Sequence, residues 1–239
     1  MGHVPRLFLR ERPGPGPVWL DGEAASRLAT VLRVRPGEEV RLFGGDGREW
    51  QGVVREVARG RVMVEVVAMV RQEPLPELVL EAWLPLIRAQ RFEWAVEKCT
   101  EAGADIIRPV AMVFGQRGDA PSGARVERWG RIAVEASEQC GRLYLPVIEP
   151  AQGLERLLGG FRGSVVVLDR AGMAATEAVR LLPGRGRVAV VCGPEGGFAP
   201  GEVAALRAAG ALFVQAGPHV LRAETAAVAG VVLVRALVG

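Results

Sequence analysis

The chain has 239 residues, of which 49% are apolar, and a formal net charge of +3. Such a length and apolar content imply one large or two modest packed domains and exclude a disordered chain. Lys98 is the only lysine, so arginine carries almost all the positive charge; guanidinium groups grip phosphates and stack on bases, which suits RNA, although a genome that favours Arg codons gives the same usage.

Residues 1–70 read as a small β-rich domain. A helix comes first, with Leu28, Val31 and Leu32 on one face. Glu39–Phe43 alternates polar and apolar residues, Gly44-Gly-Asp-Gly47 turns the chain, and a second strand lies near Trp50–Val57. Arg59-Gly60 makes another turn, and Val62, Val64 and Val66 alternate again, giving a meander as in a small barrel. Residues 71–77 form a linker stiffened by Pro74 and Pro76.

From 78 to 239 strands and helices alternate. A strand over Leu78–Leu84 leads to a helix over Gln90–Ala102 with Phe92, Val96 and Cys99 inward, then a strand over Ile106–Val110. The helix Arg125–Gly141 places Trp129, Ile132, Ala133, Ala136 and Cys140 on one buried stripe. Strands follow at Ser164–Leu168, Arg187–Cys192 and Leu212–Gln215, with helices at Pro200–Ala209 and Ala223–Leu237. Near-continuous apolar strands in βα alternation predict a parallel sheet covered on both faces.

Ligands of such sheets bind beyond the carboxyl ends of the strands. Three loops qualify: Leu168-Asp-Arg-Ala-Gly172, Gly193-Pro-Glu-Gly-Gly-Phe198 and Ala216–Thr225. Glycines in the second let a ligand approach the main chain, though a tight strand-to-helix turn without a ligand explains them equally. No P-loop and no GxSxG occur, and Gly184-Arg-Gly186 precedes a strand instead of following one, which removes a dinucleotide fingerprint. Cys99, Cys140 and Cys192 lie far apart in apolar stretches and read as buried residues of a reducing compartment. With only His3 and His219 as histidines, no metal site is expected. No apolar signal core leads the chain and the run Ala226–Val234 is too short to span a bilayer, so a cytoplasmic protein without membrane contact is expected.

Gly193-Pro-Glu-Gly-Gly-Phe198 followed by Val220-Leu-Arg-Ala-Glu-Thr-Ala226 resembles the C-terminal signature of the bacterial 16S ribosomal RNA uridine-N3-methyltransferases, the RsmE family of the SPOUT class. Glu93-Trp-Ala-Val-Glu-Lys-Cys-Thr-Glu-Ala-Gly103, Arg128-Trp129, Glu135-Ala-Ser-Glu-Gln-Cys-Gly-Arg142, Val31-Leu-Arg-Val-Arg-Pro-Gly37 and Arg6-Leu-Phe8 resemble further motifs of that family, in the same order. The resemblance implies an α/β fold: a SPOUT parallel sheet with a deep trefoil knot over 78–239 and a PUA-like RNA-binding β-barrel over 1–70. It implies a homodimer that methylates uridine N3 in 16S ribosomal RNA within the small ribosomal subunit. S-adenosyl-L-methionine is then expected at Leu168, Gly193, Pro194, Glu195, Gly196, Gly197, Ala216, Gly217, Val220, Leu221 and Thr225. RNA contacts are expected from Arg6, Arg33, Arg128 and Arg142, although charges on an amphipathic helix also serve as its solvated face. The chain departs from the family pattern in three places: Arg27 replaces a histidine, Met112-Val-Phe-Gly115 replaces a polar Ser-Glu-Arg-Ser stretch, and Ala199 replaces a Ser cap, with Pro200 as partial compensation. The second bears on RNA contacts or substrate choice and is expected to leave the cofactor loops untouched.

Uridine N3 carries a proton at neutral pH, so its methylation needs help in losing it. Arg222 can stabilise negative charge on the base carbonyls and Glu224, or a phosphate-bound water, can take the proton. Alternatively the two residues only anchor the last helix. A different RNA target and a non-catalytic RNA-binding assembly factor are the competing readings.

Overall fold

In the computed structural model, which describes residues 4–116 and 121–238, the chain divides into two units. One comprises Met1–Leu75 with Ser137–Leu145, the other Pro76–Ala136 with Pro146–Gly239.

The first unit contains β1 (Arg6–Phe8), β2 (Gly16–Asp21), α1 (Gly22–Ser26), β3 (Glu39–Phe43), β4 (Arg48–Ala58) and β5 (Arg61–Gln72). Its sheet runs β1-β3-β4-β5-β2; β1 is parallel to β3 and the other pairs are antiparallel. Alternation buries Val40, Leu42, Val54, Val62, Val64 and Val66 against Leu7, Leu20 and Leu28. β1 and β2 escape a pattern search because they are edge strands bracketed by Pro5, Pro13, Pro15 and Pro17, a residue that edges tolerate. The predicted helical face is also altered. After α1 the residues Arg27–Val31 form a π-helical turn, in which the Leu32 N–H donates to the Arg27 carbonyl at 2.9 Å. The wider turn keeps Leu28 buried but rotates Leu32 to the surface and leaves Val31 71% exposed.

Ser137–Leu145 completes this unit through charge. The buried Glu138 accepts the Phe8 N–H at 2.8 Å and pairs with Arg27, the residue that replaces the family histidine. Arg6 donates to the carbonyls of Ser137 and Glu138 at 3.0 and 2.9 Å and to Glu49 at 2.7 Å, and lies over the Phe43 ring. Cys140, expected on a buried stripe, is exposed. In this last helical turn the inward positions are taken by Ser137 and Glu138. β5 extends two residues into the expected linker, and the following Glu73 is held by Gly47 and by the Tyr144 hydroxyl, which donates to its carbonyl at 3.0 Å.

The second unit contains β6 (Leu78–Pro85), α2 (Ala89–Glu101), β7 (Ile106–Ala111), α3 (Gly123–Cys140, whose end belongs to the first unit), β8 (Val147–Ile148), β9 (Gln152–Gly153), α4 (Leu154–Gly160), β10 (Ser164–Ala174), α5 (Ala175–Ala178), β11 (Gly186–Val191), α6 (Pro200–Ala208), β12 (Leu212–Gln215) and α7 (Ala223–Val238). The sheet order is β12-β10-β11-β6-β7-β8, with β9 also on β7, and every pairing is parallel. Leu78, Leu80, Ala82 and Leu84 pack with Phe92, Trp129, Val231 and Val234 on one face. Trp83, Val165, Val167 and Val191 pack with Leu154, Leu157 and Leu206 on the other. Glu81 is wholly buried in β6, accepts from Trp83 Nε1 at 2.8 Å and Arg108 Nε at 2.6 Å, and pairs with Arg187.

Because Glu138 gathers a backbone amide and Arg27 in a buried setting, Glu138→Ala strands both and is expected to cost about 2 kcal/mol of stability. Thermal or urea unfolding measures it; an unchanged midpoint would mean that the segment is not an anchor of the first unit.

Candidate active site

The strand order reverses beside β6: β7 and β8 lie to one side, β11, β10 and β12 to the other. Such a reversal opens a crevice at the carboxyl ends of the strands. All three predicted loops leave that edge, together with a fourth, Met112–Gln116, which follows β7.

In the first loop Leu168 is half-buried against the core. Residues 169–172 bulge out of β10, because Leu168 and Met173 both face Val214 of β12. In the second, Pro194 is buried and its carbonyl accepts the Gly197 N–H at 2.8 Å. Gly197 has φ +75°, which favours glycine, and a Cβ there would meet no atom within 4 Å. A Cβ on Gly196, by contrast, would lie 2.8 Å from Phe114 Cβ, and one on Gly193 would lie 3.2 Å from the Phe198 ring. In the third loop Ala216, Gly217 and Leu221 are half-buried, whereas Val220, Arg222 and Thr225 are exposed. The Arg222 carbonyl accepts the Ala226 N–H at 2.8 Å and so starts α7. Its guanidinium has no hydrogen-bond or ion-pair partner among the described residues. The side chain therefore does not clamp the helix.

Glu224, in the first turn of α7, has a side chain only 10% exposed. Its Oε1 lies 3.7 Å from Arg91 Nε, and its Oε2 has no hydrogen-bond partner among the described residues. Arg91 also pairs with Glu195 of the glycine loop, so one guanidinium ties α2, that loop and α7 together. Sequence reasoning missed Arg91. The available signal was a cation in the first turn of a helix, where the macrodipole disfavours it. Behind the site, burial pushes the Cys192 thiol up to about 12, and the Glu224 carboxylate adds to the shift. Burial likewise raises Cys99 far above the ordinary thiol range.

The fourth loop corrects one expectation. The Met112–Gly115 replacement does touch the glycine loop, through Phe114 on Gly196 and through Glu202. Buried Glu202 accepts the Val113 N–H at 2.9 Å and the Ala199 N–H at 2.8 Å. It thereby supplies the carboxylate half of a capping box where Ala199 has no side-chain oxygen to give, with Pro200 in the first turn.

The expected RNA residues fare differently. Arg6 is spent on internal carbonyls and Glu49 and is a structural clamp, contrary to the expectation of an RNA contact. Arg33 is exposed and left-handed at φ 53°. Arg142 is half-buried and donates to the Tyr144 carbonyl at 3.1 Å. Arg128 is exposed but forms a two-pronged pair with Glu93 at 2.6 and 2.9 Å. His219 is exposed, and His3 lies outside the described residues. Among the described residues no group of three or more His, Cys, Asp or Glu could hold a metal ion, and no helix is long and apolar enough to cross a membrane.

A parallel α/β sheet with loops gathered at its carboxyl edge and a separate, mostly antiparallel sheet are shared with RNA methyltransferases of the SPOUT type that carry a PUA domain, the class to which the following likenesses assign the chain. The family model described as RNA methyltransferase domain matches residues 73–235, and the one described as RNA methyltransferase PUA domain matches residues 20–67. A ribosomal RNA small subunit methyltransferase E from Mycobacterium bovis is 36% identical over 224 residues, covering 87% of this chain and 82% of that protein. A methyltransferase from Legionella pneumophila solved with bound SAM superposes with a TM-score of 0.88 at 27% identity, covering 98% of each chain. A ribosomal RNA small subunit methyltransferase E from Neisseria gonorrhoeae bound to S-adenosyl methionine gives 0.84 at 26% identity, again covering 98% of each. The chain belongs to the ribosomal RNA small subunit methyltransferase E family.

The thiols offer a direct check of the burial around this site. Cys140 should react rapidly with a disulfide reagent in the native protein, whereas Cys99 and Cys192 should react only after unfolding. Since folding raises the Cys192 value above its ordinary 9.0, the folded state holds that proton more tightly than the unfolded one. Its contribution to stability is therefore complete below pH 9.0 and declines as pH rises towards 12. A native count of three fast thiols, or a denaturation midpoint that rises across that range, would contradict the buried setting.

Proposed function

We propose that this chain methylates N3 of a uridine in 16S ribosomal RNA, acting as a cytoplasmic homodimer on the small ribosomal subunit. The coarser activity, S-adenosylmethionine-dependent methylation of small-subunit ribosomal RNA, is that of its family. The observation that carries the reading is the presence of Arg222 and Glu224 two residues apart at one sheet edge. One is an exposed guanidinium with no partner among the described residues, the other a buried carboxylate with an unbonded oxygen.

The loops fit the cofactor. Side chains at Gly197 or Gly217 would fall in open space beside the main chain, so a ligand can approach the backbone there. The loops at 168–172, 193–198 and 216–221, together with Thr225, would hold S-adenosylmethionine, whose sulfonium supplies an electrophilic methyl group. The chain's own residues prepare the acceptor. A ring nitrogen used in pairing is reachable only on an unpaired or flipped nucleotide. Arg222 offers two parallel donors to a uracil carbonyl and stabilises the charge that grows there as N3 loses its proton. Glu224, or a phosphate-bound water, accepts that proton, while Arg91 pairs with both Glu224 and Glu195. In the first unit Arg33 and Arg142 are assigned to RNA; on α3, Arg128 would exchange Glu93 for a phosphate.

Two measurements test this. Mass-spectrometric mapping of 16S ribosomal RNA, with and without the enzyme, should show one uridine gaining an N3-methyl group; a methyl on another base or another RNA sinks the assignment. Arg222→Ala should lower the single-turnover rate by about two orders of magnitude with melting and cofactor affinity unchanged, because the side chain holds nothing in the fold. Arg222→Lys should recover little of that loss. A normal rate at saturating cofactor and RNA removes Arg222 from the catalytic set.

A further inference from the structure

Residues 112–116, which follow β7, are held by hydrogen bonds. Met112 is buried, the Val113 N–H donates to Glu202, the Gly115 N–H donates to the Met112 carbonyl at 3.0 Å, and the Gln116 N–H donates to the Leu86 carbonyl at 2.7 Å. The segment nevertheless presents Phe114, 52% exposed and with no aromatic partner among the described residues. The ring is thus presented half in water at the tip of this segment, beside Val113, which is 59% exposed. The ring sits at the glycine loop, close enough that a Cβ on Gly196 would lie 2.8 Å from Phe114 Cβ. The neighbouring Glu195 leads through Arg91 to Glu224.

We propose that Phe114 is the platform on which the target base stacks, making it a substrate-positioning residue. The inference rests on the reading above, that the chain methylates a ring nitrogen of RNA. A nucleotide withdrawn from its helix loses its stacking neighbours, and an aromatic side chain replaces them at little cost in sequence selectivity. Residues 112–115 are Met-Val-Phe-Gly and carry no charge, so the ring offers a base an apolar face. The other aromatic of the site, Phe198, is half-buried with its ring against Gly193, and so is spent on the turn.

The test uses full-length Phe114→Ala, Phe114→Leu and Phe114→Trp with small ribosomal subunits from a strain lacking the methyltransferase. Single-turnover rate, KM for the particle, cofactor affinity by calorimetry and oligomeric state by sedimentation are read on each. Phe114→Ala should lower kcat/KM by about 5- to 150-fold, the equivalent of one lost base–aromatic stack. Phe114→Leu, as apolar but not planar, should lose a similar factor, and Phe114→Trp should stay near wild type. Cofactor affinity and sedimentation should not move. Recovery by Leu shows that only apolar bulk is needed and overturns the proposal. A change in oligomeric state assigns Phe114 to contact with a second copy, and a parallel loss of cofactor affinity assigns it to shaping the cofactor site; either overturns it. Wild-type protein that leaves these particles unmethylated defeats the underlying reading, whereas active wild type with an equally active Phe114→Ala defeats the stacking role alone.

Discussion

The depth at which α7 lies on the sheet sets the whole site. Gly230 makes that depth possible: a Cβ there would lie 2.4 Å from Val190 Cγ1 and 2.9 Å from Leu168 Cδ2. With only a hydrogen at the crossing, the helix comes down directly onto β10 and β11. Its far end is then locked by Arg235, which donates to the Gly103 carbonyl at 2.8 Å and the Leu78 carbonyl at 3.0 Å and pairs with Asp105. Both constraints act at a distance from the chemistry, yet together they decide where the first turn of α7, with Arg222 and Glu224, meets the loops.

The buried carboxylates differ in how they are satisfied. Glu81 is surrounded by Trp83, Arg108 and Arg187, and Glu202 binds two backbone amides. These are satisfied groups, which is how a folded chain normally tolerates a buried charge. Glu224 differs. It faces one guanidinium at 3.7 Å and keeps Oε2 without a hydrogen bond. A carboxylate held in that state costs stability, and it lies in the first turn of α7, at the carboxyl edge of the sheet.

The hydrophobic pattern carried the second unit well. Runs such as Ser164–Leu168 and Leu212–Gln215, short, rich in β-branched and aromatic residues and alternating with helices, read as strands of a parallel sheet, and glycine in a strand-to-helix loop permits close backbone approach. The glycine loop, Arg222 and Glu224 were legible for this reason and through the family motifs. Arg91, Glu202 and Phe114 were not. Arg91 and Glu202 sit on helices whose periodicity tells only which face is buried, and Phe114 sits in a loop with no periodicity at all.

Local period and residue chemistry were enough for most strand and helix types, the parallel sheet and the glycine loop, and the family motifs singled out Arg222 and Glu224. Tertiary structure alone decided that Arg6 clamps Ser137, 131 residues away, that Glu202 reaches Val113 across 89 residues, and that Phe114 lies on Gly196. It also decided that Cys140 faces water and that Val31 and Leu32 turn outward. The reason is common to all of them. A side chain's partner across a long loop is fixed by how packed faces meet, and spacing along the chain carries no record of that meeting.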